Sequence, residues 1–140
     1  MASPVDITFC EALPMAELHA HLGGSMSPTA LHKLWKRNTA RGERLELEDP
    51  LTAIQPGGDL VDIGFSFPLF DRYIYSLVND VVAVRYATKQ VLEDFQSDGV
   101  SYLELRTTPR ENLTTAMTMV EYVAAVNDTI RRWNNKRQLH

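Results

Sequence analysis

An α/β fold with parallel strands is predicted by three features of this 140-residue sequence. A short, alternating apolar run, "MAELHAHL" (15–22), has strand character, and "VSYLELR" (100–106) has it again. Segments of helical periodicity lie between the two runs and after the second. Strands joined by helical crossovers run parallel. Two parallel strands are too few for a self-sufficient sheet with helices packed around it. The sequence therefore reads as the opening of a larger α/β array.

Each element has a local cause. Gly23 and Gly24 break the first strand. In "SMSPTALHKLWKRN", Ser27 is a good N-cap and Pro28 suits the first helical position. Leu31, Leu34 and Trp35 form one apolar stripe at helical spacing. Residues 39–60 mix charges with two Pro-containing turns and are expected to be a surface excursion. Aromatic residues crowd "FSFPLFDRYIYSLV" (65–78), which predicts a helix after Pro68. A clearer helix spans 80–97, with Val84, Ala87, Val91 and Phe95 inward and Gly99 as its stop. After the second strand, "TTPREN" is a loop, and "TMVE" (118–121) is a capping box. Met119, Val123, Asn127, Ile130 and Trp133 are the expected inward face of the last helix.

Composition excludes several classes. The net charge is −4, and the densest basic stretch, "RRWNNKRQLH", reads as a solvated helix end, so no nucleic-acid partner is expected. Cys10 is the only cysteine, which excludes an internal disulfide and suits a reducing compartment. It is read as a buried or incidental thiol. The first fourteen residues lack Lys and Arg and carry Asp6 and Glu11, unlike a signal or transit peptide. No stretch approaches the ~18 apolar residues of a membrane span. A soluble, cytoplasmic protein with no membrane partner is expected.

The chemistry-bearing pattern is the H-x-H of His19 and His21. On a strand, residues i and i+2 project to one side. Both histidines therefore sit near the strand's carboxyl end, where parallel α/β barrels hold their active sites. Two neutral imidazoles on one face can fill two positions of a Zn²⁺ shell, the others coming from elsewhere. The same spacing also arises by chance, or from histidines hydrogen-bonded within a core. His32, on the polar side of its helix, and His140 are expected to be solvated.

"ELHAHLGGS" and, further along, "DGVSYLELRTTPREN" together resemble the adenosine/AMP deaminase family, and within it the branch that acts on N(6)-methyl-AMP. The resemblance covers nearly the whole chain. It implies the N-terminal part of a TIM barrel, about the first two of its eight strands with their helices. Residues 1–14 would then be an N-terminal arm, and 15–140 a partial barrel domain that stops before the later catalytic strands. His19 and His21 would be ligands of one Zn²⁺ per complete active site, with His21 also close to the substrate. Gly24 matches the motif glycine beside the purine. Arg106, Thr107, Thr108 and Pro109 match the segment lining the nucleotide site, and an arginine with two hydroxyls at a strand end suits a phosphate. An ion pair of Arg106 with a neighbouring carboxylate, Glu104 above all, is the structural alternative.

Two positions depart from the family. Gly23 stands where the family carries Asp or Asn at the substrate. Tyr75 falls where the branch has a substrate-side histidine, and core packing explains it equally well. The family's third zinc-binding His, its Asp, its proton-handling Glu and its second catalytic His belong to later strands, so this chain carries no catalytic residue of its own. The implied function is hydrolytic deamination of a purine nucleoside or nucleoside monophosphate, with the chain alone inactive. The alternative is a truncated relative or pseudo-enzyme acting, if at all, as an interaction protein.

Overall fold

A computed structural model describes residues 7–42, 45–54 and 72–137; the start of the helix expected after Pro68, and His140, lie outside these. In chain order the elements are α1 (Ile7–Ala12), β1 (Met15–His21), α2 (Pro28–Ala40), α3 (Pro50–Ala53), α4 (72–77), α5 (Val81–Ser97), β2 (Val100–Arg106) and α6 (Met119–Arg137). The α/β reading holds, and β1 and β2 pair in parallel. Helix α1, inside the expected arm, has no counterpart in the sequence reading. Cys10 on it is exposed along with Ile7, Phe9 and Leu13, so the buried-thiol reading falls.

The helix ends form as their sequences dictate. Ser27 Oγ accepts the Ala30 N–H at 3.3 Å, with Pro28 opening α2. Asp80 Oδ1 accepts the Ala83 N–H at 2.7 Å at the start of α5. Gly99, at φ 81°, ends that helix in the left-handed conformation glycine adopts without strain. Thr118 and Glu121 exchange the two bonds of the capping box: the Thr118 N–H donates to Glu121 Oε2 at 2.9 Å, and the Glu121 N–H to Thr118 Oγ1 at 3.2 Å. The Thr118 N–H and the Thr118 hydroxyl, which also donates to Glu121 Oε2 at 2.9 Å, hold the Glu121 carboxyl below its usual pKa.

The core lies where α2, α4, α5 and α6 meet behind the strands. Leu31, Leu34, Leu77, Val84, Ala87 and Val91 are buried in it. Burying one such aliphatic side chain contributes about 1.5–3 kcal/mol. Trp35 is half-buried and donates its indole N–H to the Leu47 carbonyl at 3.1 Å.

Two expectations about packing are corrected. The described part of the 39–60 excursion is not purely superficial: Leu45, Leu47, Ala53 and Ile54 pack on the core and Pro50 is buried. Alternation in "LELE" sends both leucines inward and leaves Glu46 and Glu48 exposed. The segment is fixed by Tyr73, whose hydroxyl donates to the Glu48 carbonyl at 2.8 Å, and by His32. His32 is therefore not a free surface residue. Its Nδ1 lies 2.6 Å from Asp49 Oδ1, and its ring stacks on Trp35. Helix α6 is also turned from its expected face. Met119, Val123 and Asn127 are exposed, while Tyr122, Ala125 and Val126 are buried and Ile130 and Trp133 half-buried. Small Ala125 lets α6 approach α5, and the Tyr122 hydroxyl meets Thr107 Oγ1 at 2.7 Å, which fixes the rotation. The described basic residues near its end, Arg131, Arg132 and Lys136, are exposed as expected.

Candidate functional site at the strand ends

The strand register brings the site's first residues together. His21 is the partner of Arg106, and Ala20 of Leu105. The Leu22 N–H donates to the Arg106 carbonyl at 2.8 Å, which carries the pairing one residue past β1. Strict alternation fails earlier: from Glu17 to Ala20 β1 advances three residues while its partner advances two, from Leu103 to Leu105. Leu18 and His19 thus lie in a bulge, which bends and twists a strand locally. The His19 N–H, lost to the ladder, donates instead to Glu17 Oε1 at 2.8 Å.

Both imidazoles are exposed, with ring centroids 5.1 Å apart and planes 30° apart. Among the described residues neither ring has a hydrogen-bond partner, which removes the core-histidine reading. Two imidazoles on one tetrahedral zinc, with bonds of ~2.0–2.1 Å, would have centroids about 5 Å apart, so the spacing of this stacked pair is one that such a shell can take. The other half is not here: among the described residues no three His, Cys, Asp or Glu side chains gather where they could hold a metal.

After His21 the chain turns back on itself, with the Ser25 N–H donating to the His21 carbonyl at 2.9 Å. A Cβ on Gly23 would meet Ile74 Cδ1 at 3.2 Å and Cγ2 at 3.4 Å. The isoleucine of α4 thus occupies the space that a side chain at Gly23 would need. A Cβ on Gly24 would meet the His21 Cβ at 3.7 Å and the His21 carbonyl oxygen at 3.8 Å, both ordinary contacts.

Beyond β2 the expected residues divide. Arg106 is exposed and makes no ion pair with a described residue. The Glu104 carboxylate instead accepts the Tyr102 hydroxyl at 3.0 Å, and this bond raises the Tyr102 pKa. Thr108 and Pro109 are exposed, while Thr107 directs its hydroxyl to Tyr122. Tyr75 is 58% exposed, so core packing does not explain it. Its ring carries the Arg110 guanidinium 4.2 Å from the centroid. Arg110 was not among the expected site residues, although it closes the quoted "RTTPR" segment. Its contacts to α4 come from tertiary structure and have no local sequence signal.

The strand ends thus form a parallel α/β pair that carries an exposed imidazole pair on one strand and an exposed arginine on the other. Residues 14–136 match the adenosine deaminase family, and the chain belongs to that family. It is 38% identical over 124 residues to the N6-methyl-AMP deaminase of Danio rerio, covering 89% of this chain and 34% of that one. With the Homo sapiens N6-methyl-AMP deaminase it shares 36% over 129 residues, 92% of this chain and 35% of the other. The crystal structure of the Arabidopsis N6-mAMP deaminase superposes with a TM-score of 0.75 at 34% identity, over 89% of this chain and 36% of that one. The Arabidopsis ADAL protein complexed with IMP gives 0.74 at 33% identity, over 89% and 36%. These neighbours are TIM barrels, matched over about their first third. The chain spans about a third of the length of the relatives it matches.

Proposed function

We propose that this chain is the first third of a zinc-dependent deaminase barrel that acts on N(6)-methyl-AMP or a related purine nucleotide. The observation that carries this reading is the pairing of His21 with Arg106 across two parallel strand ends. A metal-binding ring and a phosphate-binding guanidinium must reach one small substrate, and neighbouring strand ends let them do so. The names of the relatives and the GMP and IMP complexes of the Arabidopsis ADAL protein support a nucleotide rather than a free base.

In this reading His19 and His21 hold the ion. Zinc, when bound, lowers the pKa of a coordinated water toward neutrality. The reaction is hydrolytic: a water oxygen adds to the amine-bearing purine carbon, and the amine leaves with a proton. Arg106 and the Thr108 hydroxyl take the phosphate, with Thr107 and Pro109 shaping the loop behind it. Gly24 allows the backbone close to the purine, while Gly23 and Tyr75 border the substrate. A charge-assisted hydrogen bond of the Arg106 type contributes about 1.5–3 kcal/mol.

The remaining ligands and the proton-handling carboxyl belong to later strands, so residues 1–140 by themselves are inactive. A second reading is an inert relative working only through contacts. A cytoplasmic location belongs to the same proposal, and no described helix is long and apolar enough to cross a membrane.

A chimera separates the two readings. This chain replaces the matching third of the Arabidopsis deaminase, and methylamine release from N(6)-methyl-AMP is measured. Turnover that disappears on His19→Ala or His21→Ala supports the deaminase reading. A folded chimera with no turnover overturns it.

A further inference from the structure

We propose that Arg110 is a positioning residue that locks helix α4 onto both strand ends, so that α4 forms one wall of the site. The proposal rests on the placement of the site given above and goes beyond it. Arg110 Nη2 donates to the carbonyls of Ile74 at 3.2 Å and Val78 at 3.5 Å, at the end of α4. A cation there is favoured by the carbonyl end of a helix. The same guanidinium lies over the exposed Tyr75 ring at 4.2 Å, within cation–π range.

The other side of that turn is fixed independently. Ile74 sits against Gly23, two residues after His21. Arg110 lies four residues after Arg106, and His21 pairs with Arg106. The contacts close a ring: His21, Gly23, Ile74, Tyr75, Arg110, Arg106 and back to His21. Strand pairing holds one side of it and backbone connectivity three more. Only Ile74 on Gly23 and Arg110 on α4 are side-chain contacts, and only the second is polar. Loss of Arg110 therefore loosens the Tyr75 turn and the middle of the 107–112 loop together, while Thr107 on Tyr122 and Asn112 on Met117 hold the loop's ends and the strands stay paired.

The test uses the 140-residue chain with Arg110→Gln, Arg110→Lys, Tyr75→Leu and the Gln/Leu double variant. Amide hydrogen exchange is read first. Arg110→Gln is expected to speed exchange in 74–79 and in the middle of the 107–112 loop alike, with α5 unchanged, and Arg110→Lys to restore part of the protection. Acceleration confined to 107–112, or spread over the whole chain, overturns the proposal. Binding of IMP and of inosine is read second, in the chimera carrying the same substitutions. Arg110→Gln and Tyr75→Leu are each expected to weaken IMP about tenfold, and the double variant no further, because the two residues act as one unit. Additive losses seen for IMP and absent for inosine would mean that Arg110 touches phosphate directly, which also overturns it. A chimera that binds neither ligand counts against the functional reading, and the exchange experiment still decides the role of Arg110.

Discussion

Replacing Asp80 tests the polar joint that ties α2 to α5. Its Oδ1 caps α5 through the Ala83 N–H, and its Oδ2 accepts from Arg41 Nη1 at 3.0 Å and from Arg37 Nη2. The cap contributes about 0.5–2 kcal/mol. The Arg41 pair is half-exposed and adds about 0–1 kcal/mol. Arg37 matters more, because its Nε and Nη1 are buried with no hydrogen-bond partner among the described residues. Stripping the partner from a fully buried charge costs about 3–5 kcal/mol; the 22% exposure of the Arg37 side chain puts this case at or below the low end. Asp80→Ala should therefore cost about 3–4 kcal/mol. Asp80→Asn keeps the capping oxygen but sets an NH2 donor where Oδ2 accepted from both guanidinium groups, so it spares the cap and loses both ion pairs, for about 2–3 kcal/mol.

Urea unfolding followed by circular dichroism gives both values. Burial raises the Asp80 pKa, but the Ala83 N–H and the two guanidinium groups outweigh it and leave the value below the usual carboxylate range. A depressed folded-state pKa contributes stability that is complete above the unfolded value of about 3.9 and is lost as pH falls through the folded value. The gap between wild type and Asp80→Asn should accordingly be full at pH 7 and close below about pH 4. Equal losses for Asn and Ala, or a gap that does not vary with pH, would refute the reasoning.

Other consequences are as direct. Gly23→Ala should destabilise by about 1 kcal/mol through crowding of Ile74, and Ile74→Val, which removes the nearest methyl, should recover most of it. Gly24→Ala, with an ordinary 3.7 Å contact, should be neutral or stabilising by about 0.4–1 kcal/mol in the same unfolding assay. The isolated chain should bind Zn²⁺ weakly and release it on dialysis against a chelator, because two imidazoles leave the shell incomplete; retained stoichiometric zinc would contradict this. In the chimera, Arg106→Ala should lower kcat/KM for the monophosphate about ten- to a hundredfold more than for the nucleoside. On a sizing column the chain should self-associate, since Leu18, Tyr102, Leu113 and Val120 are exposed apolar groups; a monodisperse monomer would refute this.

The sequence by itself determined the elements whose causes are local. Ser27–Pro28, Gly99 and the Thr118–Glu121 box each act within four residues, so these caps and stops were legible without the fold, whereas the Asp80 cap came from the structure. The motifs "ELHAHLGGS" and "DGVSYLELRTTPREN" were enough to indicate family and strand order. Choices between equivalent local patterns needed tertiary structure. Helix α6 carries two apolar stripes, and only packing of Ala125 on α5 and Tyr122 on Thr107 selects one. Strand alternation put His19 and His21 on one face, but the bulge between Glu17 and Ala20 depends on the partner strand's register. His32 with Asp49, Ile74 with Gly23, and Arg110 with Tyr75 join residues far apart in the chain. No local propensity encodes such contacts; they exist only once burial of the shared core has brought the segments together.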